Sequence, residues 1–146
     1  MNAIIKIIFF ITATITFSSC IKTEVEGIKI GHNLYDTRGY STNKELVNLI
    51  KQSLKKDEKS LAKLINFWCG GGAGCYDLGI VITQIISKIG EDEFVIMTNK
   101  LSTDDKEMLV ALIRAGLEYG DYNKDDKMDQ TTIDKVFPKL YAILGK

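Results

Sequence analysis

Residues 102–120 read STDDKEMLVALIRAGLEYG, and this stretch decides the fold class. Met108, Leu109, Leu112, Ile113 and Gly116 recur at the three- and four-residue spacing that puts them on one face of an α-helix. Ser102 and Asp105 resemble a capping box, S-x-x-D in place of the stronger S-x-x-E. Asp104, Asp105 and Glu107 lie near the positive N-terminal end, and Gly120 marks the stop. A helix with one apolar face must bury that face against other elements.

The same period continues outward. Phe94, Met97 and Leu101 predict a helix over about 91–100, and Leu78, Val81, Ile82, Ile85, Ile86 and Ile89 predict one over about 77–89. The segment GIVITQII within it is rich in β-branched residues, which also suits a buried strand. Its clean helical spacing, closed by Gly90, favours the helix. Leu61, Leu64, Ile65 and Trp68 form a stripe beginning near Asp57, with Gly70, Gly71 and Gly72 at its end. This stripe places Trp68 in the core beside Phe67. Leu46, Leu49, Ile50 and Leu54 follow Ser41, Thr42 and Asn43, which offer N-caps. A last helix follows Asp129 and is kinked or split by Pro138, the only proline. The expectation is an all-α domain over 41–146: a small antiparallel bundle of five or six helices, or stacked αα-hairpins.

Composition narrows the function classes. The 146 residues carry 19 cationic and 19 acidic side chains, which argues against nucleic acid as the main partner. His32 is the only histidine, so a histidine-based mechanism would rest on that residue alone. It lies in residues 20–40, a polar, turn-rich stretch that reads as a linker. Val25, Ile28 and Ile30 there suit a short strand, but a lone strand needs a partner.

Residues 1–20 read MNAIIKIIFFITATITFSSC. Lys6 is the only charge, and the apolar run Ile7 to Phe17 is shorter than the ~20 residues of a bilayer-spanning helix. It fits a signal-peptide h-region followed by small residues. The ending Phe17-Ser18-Ser19-Cys20 resembles the lipobox of bacterial lipoproteins, with Phe17 where Leu is commonest. The resemblance implies that residues 1–19 are a cleaved signal peptide and that Cys20 carries diacylglycerol and an acyl chain such as palmitate. Two or more chains hold a protein stably on a membrane. Ile21 rather than Asp after the cysteine implies, by analogy with the family, the outer membrane of the cell envelope over the inner. Removing residues 1–19 takes Lys6 alone among the charges, so 18 cationic side chains then face 19 carboxylates.

With Cys20 spent on lipid, Cys69 and Cys75 remain, and an even pair in an exported protein suggests a disulfide. The intervening five residues, Gly-Gly-Gly-Ala-Gly, are flexible enough to let them meet. They lack the G-K-[ST] ending of a phosphate-binding loop and the C-x-x-C spacing of a redox pair.

Asp121, Asn123 and Asp125 alternate as in an EF-hand calcium loop, which this segment resembles. The resemblance implies side-chain ligands at those three positions, a backbone carbonyl from Lys127, and Asp129 binding directly or through water. Asp126 replaces the loop's glycine and Thr132 its bidentate glutamate, so affinity should be weak. Calcium is the one candidate cofactor.

The leading expectation is a membrane-anchored, non-enzymatic helical binding or interaction module that meets a protein partner. The alternatives are a calcium-responsive module using residues 121–132, and an envelope hydrolase with an unrecognised acidic site.

Overall fold

A computed structural model describes residues 23–35, 39–121, 125 and 127–144. The element that organises it is α4 (Ala73–Ile89), preceded by β1 (Glu24–Val25), β2 (Ile28–Lys29), α1 (His32–Tyr35), α2 (Tyr40–Leu54) and α3 (Glu58–Ile65). After it come α5 (Glu91–Thr98), α6 (Thr103–Tyr119), α7 (Ile133–Val136) and α8 (Pro138–Leu144). The fold is helical, as the period predicts. The additions among the described residues are a two-stranded antiparallel hairpin and the single-turn helix α1.

The β-branched richness of α4 follows from its position. Helices α1, α2, α5 and α6 and strand β2 all pack on it. Leu78, Val81, Ile82, Ile85 and Ile86 are buried, as a helix enclosed on most sides requires. Its closest neighbour is α6, which runs antiparallel to it. Gly79 meets Gly116, and Tyr76, three residues before the first, meets Tyr119, three residues after the second. A Cβ on Gly79 would overlap the Leu112 carbonyl oxygen and stand 2.7 Å from the Gly116 nitrogen. The two backbones therefore touch, and only glycine fits at the crossing.

Helix α6 has the cap its sequence predicts. The Asp105 N–H donates to Ser102 Oγ at 3.1 Å. Leu109, Leu112, Ile113, Gly116 and Leu117 are buried. Met108, expected on the same face, is 47% exposed. It sits one residue, about 100° of helical turn, from Leu109 at the centre of the stripe.

Four other expectations need correction. The first helix of the bundle starts at Tyr40 after Gly39 with no side-chain cap, while Asn43 Nδ2 donates back to the Tyr35 carbonyl at 2.9 Å. The 77–89 helix begins four residues earlier, at Ala73 inside the glycine-rich segment. The last helix starts only at Ile133, four residues beyond Asp129, and it is split at Pro138 as expected, with Pro138 opening α8. Proline suits a first helical position because its missing N–H has no intrahelical partner there.

Residues 23–35 are the fourth correction. They were expected as part of a linker over 20–40 packed only at its end by Leu34 and Tyr35, yet Val25, Ile28 and Ile30 are core residues along with Leu34. Glu26 and Gly27, at φ 50° and 80°, make the two-residue turn that closes a tight hairpin. The hairpin is fixed to α4 by side chains that sequence periodicity does not reveal. Gln84 Oε1 accepts from the Lys29 N–H at 2.8 Å, and Gln84 Nε2 donates to the Lys29 carbonyl at 2.9 Å, so one amide imitates a neighbouring strand. Lys88 Nζ donates to the Glu26 carbonyl. The Asp77 carboxylate fills the space beside Gly31 and accepts from the Leu34 N–H at 3.1 Å, capping α1 from another helix.

Candidate functional site

The turn from α3 into α4 carries the exposed chemistry. Helix α3 is N-capped by Asp57, whose carboxylate accepts from the Lys59 N–H and from Ser60 Oγ, at 3.2 and 2.6 Å. The Ser60 hydroxyl is the main reason its carboxyl is held below the usual value. The helix ends at Ile65. Asn66 Nδ2 then donates both to the Ala62 carbonyl and to Asp105 Oδ1, at 2.9 and 2.6 Å. This amide, with Ser102 next, pulls the Asp105 carboxyl below its ordinary value.

Because the helix stops at Ile65, the helical stripe does not extend to Trp68. Phe67 takes the place against the core, and Trp68 is 76% exposed. The expected burial of Trp68 is thus corrected.

The next residue, Cys69, meets Cys75 at disulfide-bonding distance, with Cα atoms 4.8 Å apart. Gly70, Gly71 and Gly72 between them all have positive φ, at 79°, 83° and 51°, a region L side chains rarely adopt. Gly74 packs on the carbonyl of Cys69 and near that of Asn33, so the turn, α1 and the first turn of α4 form one unit.

Tyr76 follows Cys75 and stacks on Tyr119, with centroids 4.1 Å apart and planes at 15°. The Glu118 carboxylate, and then Tyr76 itself, push the Tyr119 phenol above its usual pKa. Beyond α6 the chain returns so that the Asp129 N–H donates to the Gly120 carbonyl at 3.1 Å. This brings Met128, 60% exposed, to the same end of the molecule. Both tyrosines are also exposed.

The acidic loop is partly described. Asp121 Oδ1 accepts from the Asp125 N–H at 2.9 Å, and Asp125 Oδ1 accepts from the Lys127 N–H at 3.1 Å. Asp129 lies at the neck of the loop. Asn123 and Asp126 lie outside the described residues, as does Cys20. Thr132, at the position of the EF-hand glutamate, is exposed and immediately precedes α7. Among the described residues no group of three or more His, Cys, Asp or Glu side chains converges as a metal site. His32 is exposed at the start of α1, apart from the acidic loop's carboxylates in the chain.

Two shallow grooves complete the surface. One, about 450 Å³, runs between the N-terminal half of α6 and α8. Val110, Ile143 and Leu144 supply its apolar part and Lys106, Glu107 and Arg114 its charged rim. The other, about 380 Å³, lies between the hairpin and α2, beside Tyr35 and Tyr40. The tyrosine stack and the first groove escape sequence reasoning because each depends on which helices are neighbours and at what register. The sequence signal for the stack was only that Tyr76 and Tyr119 each sit at a helix end. No family model, no curated protein and no solved structure matches the chain.

Proposed function

We propose that the chain is a bacterial envelope lipoprotein, held by lipid on Cys20, whose helical domain is a non-enzymatic interaction module for a protein partner. What supports this reading is the placement of its uncovered apolar side chains. Trp68, Tyr76, Tyr119 and Met128 stand at the disulfide end and Ile143 lines the α6–α8 groove, while Tyr40, Ile96, Met108 and Tyr141 are exposed singly elsewhere, and grouped exposed apolar side chains mark interaction sites. The groove suits a protein partner best. Val110, Ile143 and Leu144 there stand among Lys106, Glu107 and Arg114, and such a mixture of apolar contact with a charged rim is common in protein interfaces.

A photoreactive residue in place of Ile143, in intact cells, is expected to give a discrete crosslinked species. The same residue in place of Lys63, exposed on α3, is expected to give none. Monomer alone at both positions across growth conditions would remove the partner. The anchor is tested separately: labelled palmitate should enter the wild-type chain and not Cys20→Ala, and equal labelling of the two would refute lipidation.

One observation favours a second reading, a calcium-responsive module. The bond from the Asp129 N–H to the Gly120 carbonyl closes the acidic loop and gathers Asp121 and Asp129 at its neck. Without a bidentate glutamate the affinity would fall in the range of extracellular modules, about 10⁻⁴ to 10⁻³ M. Calorimetry with calcium to several millimolar decides it: no heat and no shift in melting temperature would end this reading.

A further inference from the structure

We propose that the disulfide end of the domain faces the bilayer and that Trp68 seats in its headgroup region. The inference rests on the lipid-anchor reading of Cys20 and adds the orientation of the domain and the occupant of its aromatic end.

The first argument is length. Only Ile21 and Lys22 separate Cys20 from Thr23. Thr23 already belongs to the fold, because its carbonyl accepts from the Ile30 N–H at 2.7 Å. Three Cα–Cα steps span at most about 11 Å. A lipidated Cys20 therefore holds Thr23 within that distance of the membrane surface.

The second argument is position. Ile30, paired with Thr23, precedes Gly31, and Gly31 abuts the Asp77 carboxylate in the first turns of α4. Asp77 adjoins Tyr76. The hairpin turn at Glu26 lies instead by Lys88, at the other end of α4. From Asp77 to Lys88 the helix rises about 16 Å. Strand β1 thus runs away from the disulfide end, and the chain joins the fold beside that end.

The third argument is chemistry. Tyr76, Tyr119 and Met128 are exposed there. Trp68 and Tyr76 flank the bridged cysteines, whose Cα atoms are 4.8 Å apart, so their own Cα atoms lie within about 12 Å. Tryptophan and tyrosine have an apolar body and a polar tip, which suits the membrane–water interface. Among the described residues the carboxylates at this end (Asp77, Glu118, Asp121, Asp125 and Asp129) outnumber Lys127, which favours zwitterionic over anionic headgroups. The α6–α8 groove, on the N-terminal half of α6, is left pointing away from the lipid and open to a protein.

Trp68 is the only tryptophan, so intrinsic fluorescence reports on it alone. The full-length lipoprotein, purified from cells, is reconstituted in phosphatidylethanolamine-rich vesicles with and without lipids brominated near the headgroup. Its intact mass is measured on the same sample. A lipid mass on Cys20, a shift of emission to shorter wavelength and loss of emission with brominated lipid are the expected results. A lipid mass with water-like emission and no loss with brominated lipid overturns the orientation while leaving the anchor intact. Emission that shifts only when an envelope protein is added also overturns it, and assigns the end to that protein. Absence of the lipid mass overturns the anchor and the orientation with it. Trp68→Phe with Tyr76→Trp repeats the measurement from the other side of the bridge, and the same response is expected.

Discussion

Two sets of glycines do opposite work here. Gly79 and Gly116 lie where α4 and α6 cross, and a Cβ on either would overlap the other helix's backbone. Gly71 and Gly72, at the turn before α4, have nothing within 4 Å of such a Cβ, yet their φ angles are 83° and 51°. The first pair is selected by bulk and the second by torsion. The contrast says where the molecule is rigid. The crossing is closed to any added atom, while the turn is open in space and held in shape by its torsions and by the cysteines at its ends.

The strongest way to break the comparison is Gly79→Val. Neither the Leu112 carbonyl nor the Gly116 backbone can swing aside as a flexible side chain would. The helices must separate, and overpacking of this kind costs about 3 kcal/mol or more. The urea midpoint should fall steeply, and Gly79→Ala should fall between valine and wild type. A valine variant as stable as wild type would mean that the helices do not touch at Gly79.

Next in size is Cys75→Ser. Closing a loop this short removes little unfolded-chain entropy, so the expected loss is about 2 kcal/mol. It should be matched by wild type in reductant. Equal midpoints for wild type with and without reductant would show that the cysteines, although at bonding distance, are unbridged in solution.

The same contrast separates what the sequence reveals from what it hides. Ser102, Asp105 and the Leu109–Leu112–Ile113–Gly116 face were legible because cap and stripe both lie within one helix. Gly116 could be placed on the buried face, but its partner Gly79 could not, since the register between two helices is a tertiary property. Trp68 failed because the helical period was extended past Ile65, where α3 ends. The hairpin failed for a related reason. The two residue pairs Glu24–Lys29 and Val25–Ile28 make a ladder too short to stand alone, and it is held by burial of Val25, Ile28 and Ile30 in the core and by bonds from Gln84 and Lys88, more than fifty residues away. Of the candidate site, the cysteine pair was legible from spacing alone, whereas the tyrosine stack required knowing that α4 and α6 are neighbours.

A smaller effect sharpens the torsion side. Gly71→Ala places a side chain in open space at a left-handed φ, which costs about 1–2 kcal/mol. Gly71→Leu should cost little more than Gly71→Ala, because leucine is unbranched at Cβ and no atom lies within 4 Å of that Cβ, whereas valine would strain against its own backbone at this φ. At Gly79, by contrast, damage should grow from alanine to valine. A series at each position, read as urea midpoints, should therefore give a steep size dependence at 79 and a shallow one at 71. Parallel slopes would mean that the two glycine sets share one cause.

The smallest effect concerns how the open turn is fastened at its α3 end. Asn66 Nδ2 bonds the Asp105 carboxylate at 2.6 Å, and this contact, followed by Ser102, lowers the Asp105 pKa from 3.8. A carboxyl depressed in the folded state binds its proton more weakly there than in the unfolded chain. Its contribution is present above pH 3.8 and is lost as pH falls through the lower folded value. Asp105→Asn removes this titration. Wild type should therefore lose more stability than Asp105→Asn on acidification from just above pH 3.8 downward, and Asn66→Ala should shrink the difference. Because the contact fastens α3 to α6 outside the bridged loop, the acid effect should persist in the Cys75→Ser variant. Its disappearance there would show that the bridge, rather than Asn66, sets the position of the α3 end, and that the turn is ordered from its cysteines outward.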